Sequence, residues 1–220
     1  MIMNNRTDQK ASEHKKQHKI GIMGGVFDPI HIGHLFTAEE ARTRFSLDKI
    51  IFVPCLHPTH KRNDQVSKIK HRLEMSYLAT SSNDYFEVSK IEINRSGPSY
   101  TIDTIKDFRS IYGWQTNIFF ITGADAFLQI DTWHKKDELL KLCQFVAATR
   151  PGYDLGKLDA YFKKVLRIME IPALAISSTE IRQRIRNGLS IKYLVLENVL
   201  HYIYNKKLYL NNGSESEPKR

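Results

Sequence analysis

Between residues 19 and 210, short apolar runs alternate with longer stretches of helical periodicity, and this alternation restricts the chain to a parallel sheet covered on both faces. The pattern predicts strands over 19–23, 49–53, 85–88, 90–93, 117–122, 144–149 and 174–176, and helices over 34–45, 68–80, 101–112, 178–187 and 197–205. The 117–122 run, Asn-Ile-Phe-Phe-Ile-Thr, offers no polar face and stops at Gly123, as a strand buried on both sides does. The expected class is therefore α/β, a Rossmann-like doubly wound sheet, mainly parallel, with helices on both faces. Residues 1–18 and 211–220 have no apolar periodicity and read as a flexible basic arm and a flexible tail around a single 19–210 domain.

Charge narrows the partners without choosing among them. Of the net +9, residues 1–19 carry +3 and residues 211–220 carry none, so the body keeps +6. A basic body suits nucleic acid, and it equally suits small substrates rich in phosphate. No apolar run approaches the roughly 18 residues that cross a bilayer, and the first residues are polar and basic where a signal peptide is apolar, so a cytoplasmic chain with no membrane partner is expected. Cys55 and Cys143 lack the spacing of a disulfide framework or zinc knuckle. His14 with His18, and His57 with His60, lack further ligands, so no metal held by side chains is expected.

In a doubly wound sheet, ligands bind beyond the carboxyl ends of the strands, where strand order reverses. The segment after the first strand is Gly24-Gly25-Val26-Phe27-Asp28-Pro29-Ile30-His31-Ile32-Gly33-His34. Paired glycines let backbone approach a phosphate, and N–H groups at a helix start attract anions. His31 and His34 add side-chain donors at the same place. Each residue alone also has an ordinary role in a turn or cap, and it is the combination that is specific. The order is neither Gly-x-Gly-x-x-Gly nor a Walker A loop, and no acidic residue ends the second strand at Phe52-Val53-Pro54, so a dehydrogenase or P-loop reading loses its support.

Two later loops carry polar residues at strand ends. Asp125, in Gly123-Ala124-Asp125, sits where a carboxylate accepts hydrogen bonds from ribose hydroxyls or caps a helix. Ser177-Ser178-Thr179-Glu180-Ile181-Arg182 reads as a helix start, and the same N–H and hydroxyl groups make a second phosphate cradle onto which Arg182 can fork.

The first of these segments resembles the GG-x-F-D-P-x-H-x-G-H signature of the nucleotidylyltransferase superfamily with an H/T-x-G-H motif. From Lys19 to about Leu210 the chain resembles the bacterial nicotinate-nucleotide adenylyltransferases. Phe52-Val53-Pro54 with Pro58 to Lys61 is similar to the family's F-V-P…P-P-H-K segment, Gly97-Pro98-Ser99-Tyr100-Thr101-Ile102-Asp103-Thr104 to its G-P-S-Y-T-I-D-T run, and Gly123-Ala124-Asp125-Ala126 to its G-A-D-A turn. Trp133, Arg150-Pro151-Gly152 and Ile176 to Arg182 follow in the same order. Val26 stands where the family often has Thr or Ser, and Thr59 replaces the second proline before His60-Lys61.

The resemblance implies adenylyl transfer from ATP, with Mg2+ on the triphosphate, to nicotinate mononucleotide. It implies catalytic roles for His34, Arg182, His31 and Lys61. ATP would meet Gly24, Gly25, Val26, Phe27, His31, His34, Gly123, Asp125, Ile176, Ser177, Ser178 and Arg182, and the mononucleotide Tyr100, Thr101, Asp125, Trp133 and Arg150. Phosphopantetheine adenylyltransferases and cytidylyltransferases share the first motif but are not expected to share the Gly97-to-Thr104 run or Trp133. A basic nucleic-acid-binding protein is the alternative from another class, although no aromatic RNA-binding signature supports it. Both a monomer and a homo-oligomer stay open.

Overall fold

Side chains of the first strand sort onto two faces at once: Ile20 and Ile22 of β1 (Lys19–Gly25) enter one buried cluster and Met23 the other. The computed structural model describes residues 18–57, 66–149, 165–172 and 175–210. The same alternation runs through β2 (Lys49–Pro54), β4 (Asn117–Gly123) and β5 (Gln144–Thr149). There Ile51, Val53, Ile118, Phe120 and Phe145 face one side, and Ile50, Phe52, Phe119, Ile121 and Val146 the other. With β3 (Phe86–Val88) and β6 (Leu166–Glu170) the strands form one sheet in the order β3-β2-β1-β4-β5-β6, every pairing parallel.

Helices α1 (Ile32–Phe45) and α2 (Ile69–Thr80) cover one face through Ala38, Ala41, Met75 and Ala79. On the other, α3 (Thr101–Tyr112) packs Ile102, Ile105 and Phe108 and α5 (Lys136–Leu142) packs Leu139 and Leu140. Between β4 and α5 lie the single turn α4 (Ala124–Phe127) and a 3-10 turn at Ile130–Thr132. The last helices, α6 (Ser178–Arg186) and α7 (Glu197–Asn205), return to the α1 face through Ile181, Ile185, Val199 and Ile203. Burying each such Ile or Phe is worth about 1.5–3 kcal/mol, so a charge on either face of β4 would oppose the whole arrangement. Among the described residues no helix is long and apolar enough to cross a membrane.

Three expectations from the sequence need correction. Residues 90–93 form a turn closed by Ile93 N–H and Asn94 N–H to the Lys90 carbonyl, because the residue this segment buries is Glu92. Ala175 and Ile176 lie outside the sheet, and Leu174 falls outside the described residues. The sixth strand is instead Leu166–Glu170, where only Leu166 and Met169 are buried. An edge strand with Arg167, Ile168 and Glu170 turned outward carries no clean alternation. Finally, β1 runs on through Gly24 and Gly25, which pair with Val53 and Pro54 as extended strand. The left-handed backbone of this segment falls on Phe27 (φ 50°).

Because the chain steps outward from β1 to β3 and then returns past β1 to β4, strand order reverses between β1 and β4. In a sheet of this kind the carboxyl ends of those two strands are where a ligand crevice is expected.

Candidate functional site

The segment leaving β1 is held from three directions. Arg72 of α2 is fully buried and donates to the carbonyls of Val26 (2.9 Å), Cys55 (2.7 Å) and Ser67 (3.0 Å), with a longer contact to that of Leu56 (3.4 Å). Asp28 is buried, and its carboxylate accepts from Ser67 N–H (3.1 Å) and from the Tyr209 hydroxyl (2.7 Å). Ile32 N–H donates to the Leu194 carbonyl at 3.0 Å.

His31 is the N-cap of α1 and His34 its third residue. The two rings stack with centroids 3.7 Å apart, and the Phe27 ring meets His34 edge-on at 5.1 Å. His31 N–H donates to His34 Nδ1 at 3.2 Å. Burial, and then the neighbouring His31, hold His34 well below the usual histidine range, so the ring is neutral at pH 7. With Nδ1 accepting, the proton sits on Nε2, which makes His34 a neutral N–H donor. The expected row of free N–H groups is largely absent: His34 N–H and Leu35 N–H both point to the His31 carbonyl. The imidazoles and the Gly33 N–H are what this helix start has to offer an anion.

Helix α6 abuts the same segment. Ser178 Oγ donates to the Pro29 carbonyl (2.9 Å), and Arg182 donates to the Asp28 carbonyl (2.7 Å) and to Thr179 Oγ1 (3.3 Å). Ser177 is the N-cap, its hydroxyl accepting from Glu180 N–H at 3.1 Å. A Cβ on Gly33 would lie 3.1 Å from His31 Nδ1, tighter than an ordinary contact, and 3.9 Å from Ile176 Cβ, an ordinary one, so the glycine between the two histidines makes room for the His31 ring.

On the other side of the strand reversal, β4 ends at Gly123, the N-cap of α4. Asp125 is exposed in the first turn and is not the cap; its carboxylate folds back over Gly123, where a Cβ would collide with Oδ1. Beyond α4, Trp133 is partly buried and meets Phe120 and Phe145 at 5.9 and 6.0 Å. His134 stacks on Tyr100, the N-cap of α3, at 4.4 Å. Ser99 Oγ accepts from Leu56 N–H (3.2 Å) and His57 N–H (3.3 Å), tying this wall to the end of β2.

A cytidylyltransferase-like family model matches residues 22–184. A probable nicotinate-nucleotide adenylyltransferase of Thermoanaerobacter sp. (strain X514) is 52% identical over 202 residues, spanning 89% of this chain and 96% of that protein. Another so described, from Moorella thermoacetica, is 51% identical over 198 residues, spanning 87% and 91%. This chain belongs to the nicotinate-nucleotide adenylyltransferase family. In fold it is similar to the Plasmodium falciparum nicotinic acid mononucleotide adenylyltransferase solved in complex with NaAD, with a TM-score of 0.73 at 22% identity over 87% of this chain and 97% of that one.

Of the residues that resemblance to this adenylyltransferase family picks out, Val26, Phe27, His31, His34, Ile176, Ser177, Ser178 and Arg182 come together around one loop. Gly24, Gly25, Gly123 and Asp125 lie at the ends of β1 and β4, and Tyr100, Thr101 and Trp133 at the start of α3 and beyond α4. Lys61 and Arg150 lie outside the described residues. Sequence reasoning passed over Asp28 as a contact centre, and Arg72, His134 and Tyr209 altogether. A fully buried arginine signals itself only by sitting among apolar helix positions, which Arg72 does between Ile69 and Met75.

Proposed function

We propose that the chain is a cytoplasmic enzyme of NAD biosynthesis that transfers the adenylyl group of ATP to nicotinate mononucleotide, releasing nicotinate adenine dinucleotide and pyrophosphate. What carries the reading is a convergence: identity of 52% to a relative of that description, with His31, His34 and Arg182 drawn onto one loop at the reversal of the sheet.

In this reading a phosphate oxygen of the mononucleotide attacks the α-phosphorus as the bond to the departing pyrophosphate breaks. The attacking oxygen is already ionised at neutral pH, so no general base is required. The protein aligns the two substrates and meets the charge that develops. His34 donates through Nε2–H and Arg182 through its guanidinium, with His31 and Lys61 in support. Backbone of Gly24 to Phe27 and the Ile176–Ser178 segment flank the triphosphate, and Gly123 and Asp125 meet ribose hydroxyls. Tyr100, Thr101, Trp133 and Arg150 hold the mononucleotide, and His134, stacked on Tyr100, extends that aromatic wall. Mg2+, bound with ATP, would supply charge neutralisation at the phosphates.

The test is pyrophosphate release from ATP with nicotinate mononucleotide, nicotinamide mononucleotide or phosphopantetheine as acceptor. Nicotinate mononucleotide should give the highest kcat/KM; release with phosphopantetheine alone would overturn the reading.

Trp133→Ala should raise the KM for the mononucleotide on the order of tenfold, equivalent to about 1.4 kcal/mol, and leave that for ATP within twofold. Because the ring also packs on Phe120 and Phe145, melting should fall by a few degrees as well. Equal loss toward both substrates would make Trp133 a packing residue only.

A further inference from the structure

The carboxyl-terminal segment reaches back to the loop that carries the histidines. Tyr209 is 181 positions from Asp28 in sequence, yet its hydroxyl lies 2.7 Å from Asp28 Oδ1. Both partners of this contact sit beside left-handed backbone: Phe27, preceding Asp28, has φ 50°, and Tyr209 itself has φ 68°. Bulky side chains rarely occupy that region, and such conformations persist only where the surroundings hold them. The Asp28 side chain is pinned at both oxygens, by Tyr209 on one and Ser67 N–H on the other, while its carbonyl accepts the Arg182 guanidinium at 2.7 Å. Leu194, from the same terminal stretch, receives the N–H of Ile32 beside His31. The peptide that orients Arg182 is thus anchored from the last turn of the described chain.

We propose that Tyr209 is a positioning residue for adenylyl transfer: through Asp28 it fixes the loop of residues 27–31 and with it the Arg182 guanidinium. Burial and the adjoining Asp28 carboxylate push the phenol well above its usual range, so it keeps its proton and donates at neutral pH. Phenylalanine keeps the ring and its packing and removes the hydroxyl, with its bond to Asp28, its hydrogen bond with the Ser67 side chain and its 3.9 Å contact to Met75 Sδ. The proposal rests on the adenylyltransferase reading given above.

In the full-length protein, Tyr209→Phe should lower kcat about tenfold, leave the KM values for ATP and the mononucleotide within twofold, and leave melting within a few degrees. Hydrogen exchange of the peptide spanning residues 24–34 should accelerate. On an Arg182→Ala background, adding Tyr209→Phe should change kcat less than twofold, because the group it positions is gone. Unchanged kcat in Tyr209→Phe would overturn the proposal. So would losses that multiply on the Arg182→Ala background, or a fall in kcat matched by a collapse in melting. Absence of turnover in the unmutated protein would instead overturn the activity itself, and unchanged exchange in Tyr209→Phe would then still remove the loop-fixing role.

Discussion

His34→Ala should lower turnover by roughly 10² to 10³, the scale of removing one preorganised donor from a developing negative charge. The ring is prepared for that task before substrate arrives. Its Nδ1 is occupied by His31 N–H at 3.2 Å, its plane is stacked on His31, and its edge is set by Phe27, so Nε2–H has one direction in which to point. Being neutral, it costs little to hold in a half-buried place, and in the proposed reaction it would donate more strongly as phosphate oxygens gain charge. The loss should therefore fall on kcat, with KM for ATP changed only a few-fold. Removing the ring also deletes the acceptor for His31 N–H, worth about 1 kcal/mol at a helix start, or about 2–4 °C of melting in a chain of this size. Near-normal turnover would take His34 out of the mechanism, and a much larger fall in melting would make its role that of a cap.

The same histidine gives stability a pH dependence whose sign is determined. In the unfolded chain the ring takes up its proton near pH 6.5, whereas folding holds its pKa well below that value. Between those two points the unfolded state binds more protons, so stability rises with pH and levels off above about 6.5. Acidification through this window protonates Nδ1 in the folded form and breaks the bond from His31. Melting of the unmutated protein should fall below pH 6.5, and His34→Ala should show a shallower slope over the same window.

Which parts of this arrangement were legible in the chain follows from how local their signals are. Helix α3 occupies residues 101–112, β5 residues 144–149 and α7 residues 197–205, all as the periodicity predicts, because the apolar positions and, for α3, the stop at Gly113 lie within each segment. Strand β6 was illegible because its outward face meets solvent at the sheet edge. Helix α5 was missed because seven residues are too few for periodicity to register. In the site, the histidine pair and the serines opening α6 announce themselves as contiguous motifs. Asp28, Arg72 and Tyr209 do not, since, apart from the Ser67 carbonyl beside Arg72, their partners lie 16 to 181 positions away and only the crossing from β1 past α2 to the terminal segment brings them together.

The largest effect on stability should come from Arg72→Met. Arginine is seldom fully buried, and here its charge is stabilised by carbonyl oxygens of residues 26, 55, 56 and 67, which belong to the segments leaving β1 and β2 and the turn entering α2. Methionine refills most of the stem's volume but leaves those acceptors without their donors, in a region too enclosed to exchange each for water at no cost. Unsatisfied buried groups of this kind cost about 1–3 kcal/mol apiece, and partial relaxation brings the sum to about 3–5 kcal/mol. For 220 residues that lowers melting by roughly 10 °C. Arg72→Lys should fall between, because one ammonium cannot span carbonyls that a planar guanidinium reaches together. Since these carbonyls belong to the loops flanking the proposed triphosphate site, KM for ATP should rise in Arg72→Met even well below its melting temperature, while His34→Ala spares it. Melting within 2 °C of the unmutated protein would show that the buried charge is dispensable, and that the two loops are held by the tie between Asp28 and Ser67 and by the sheet itself.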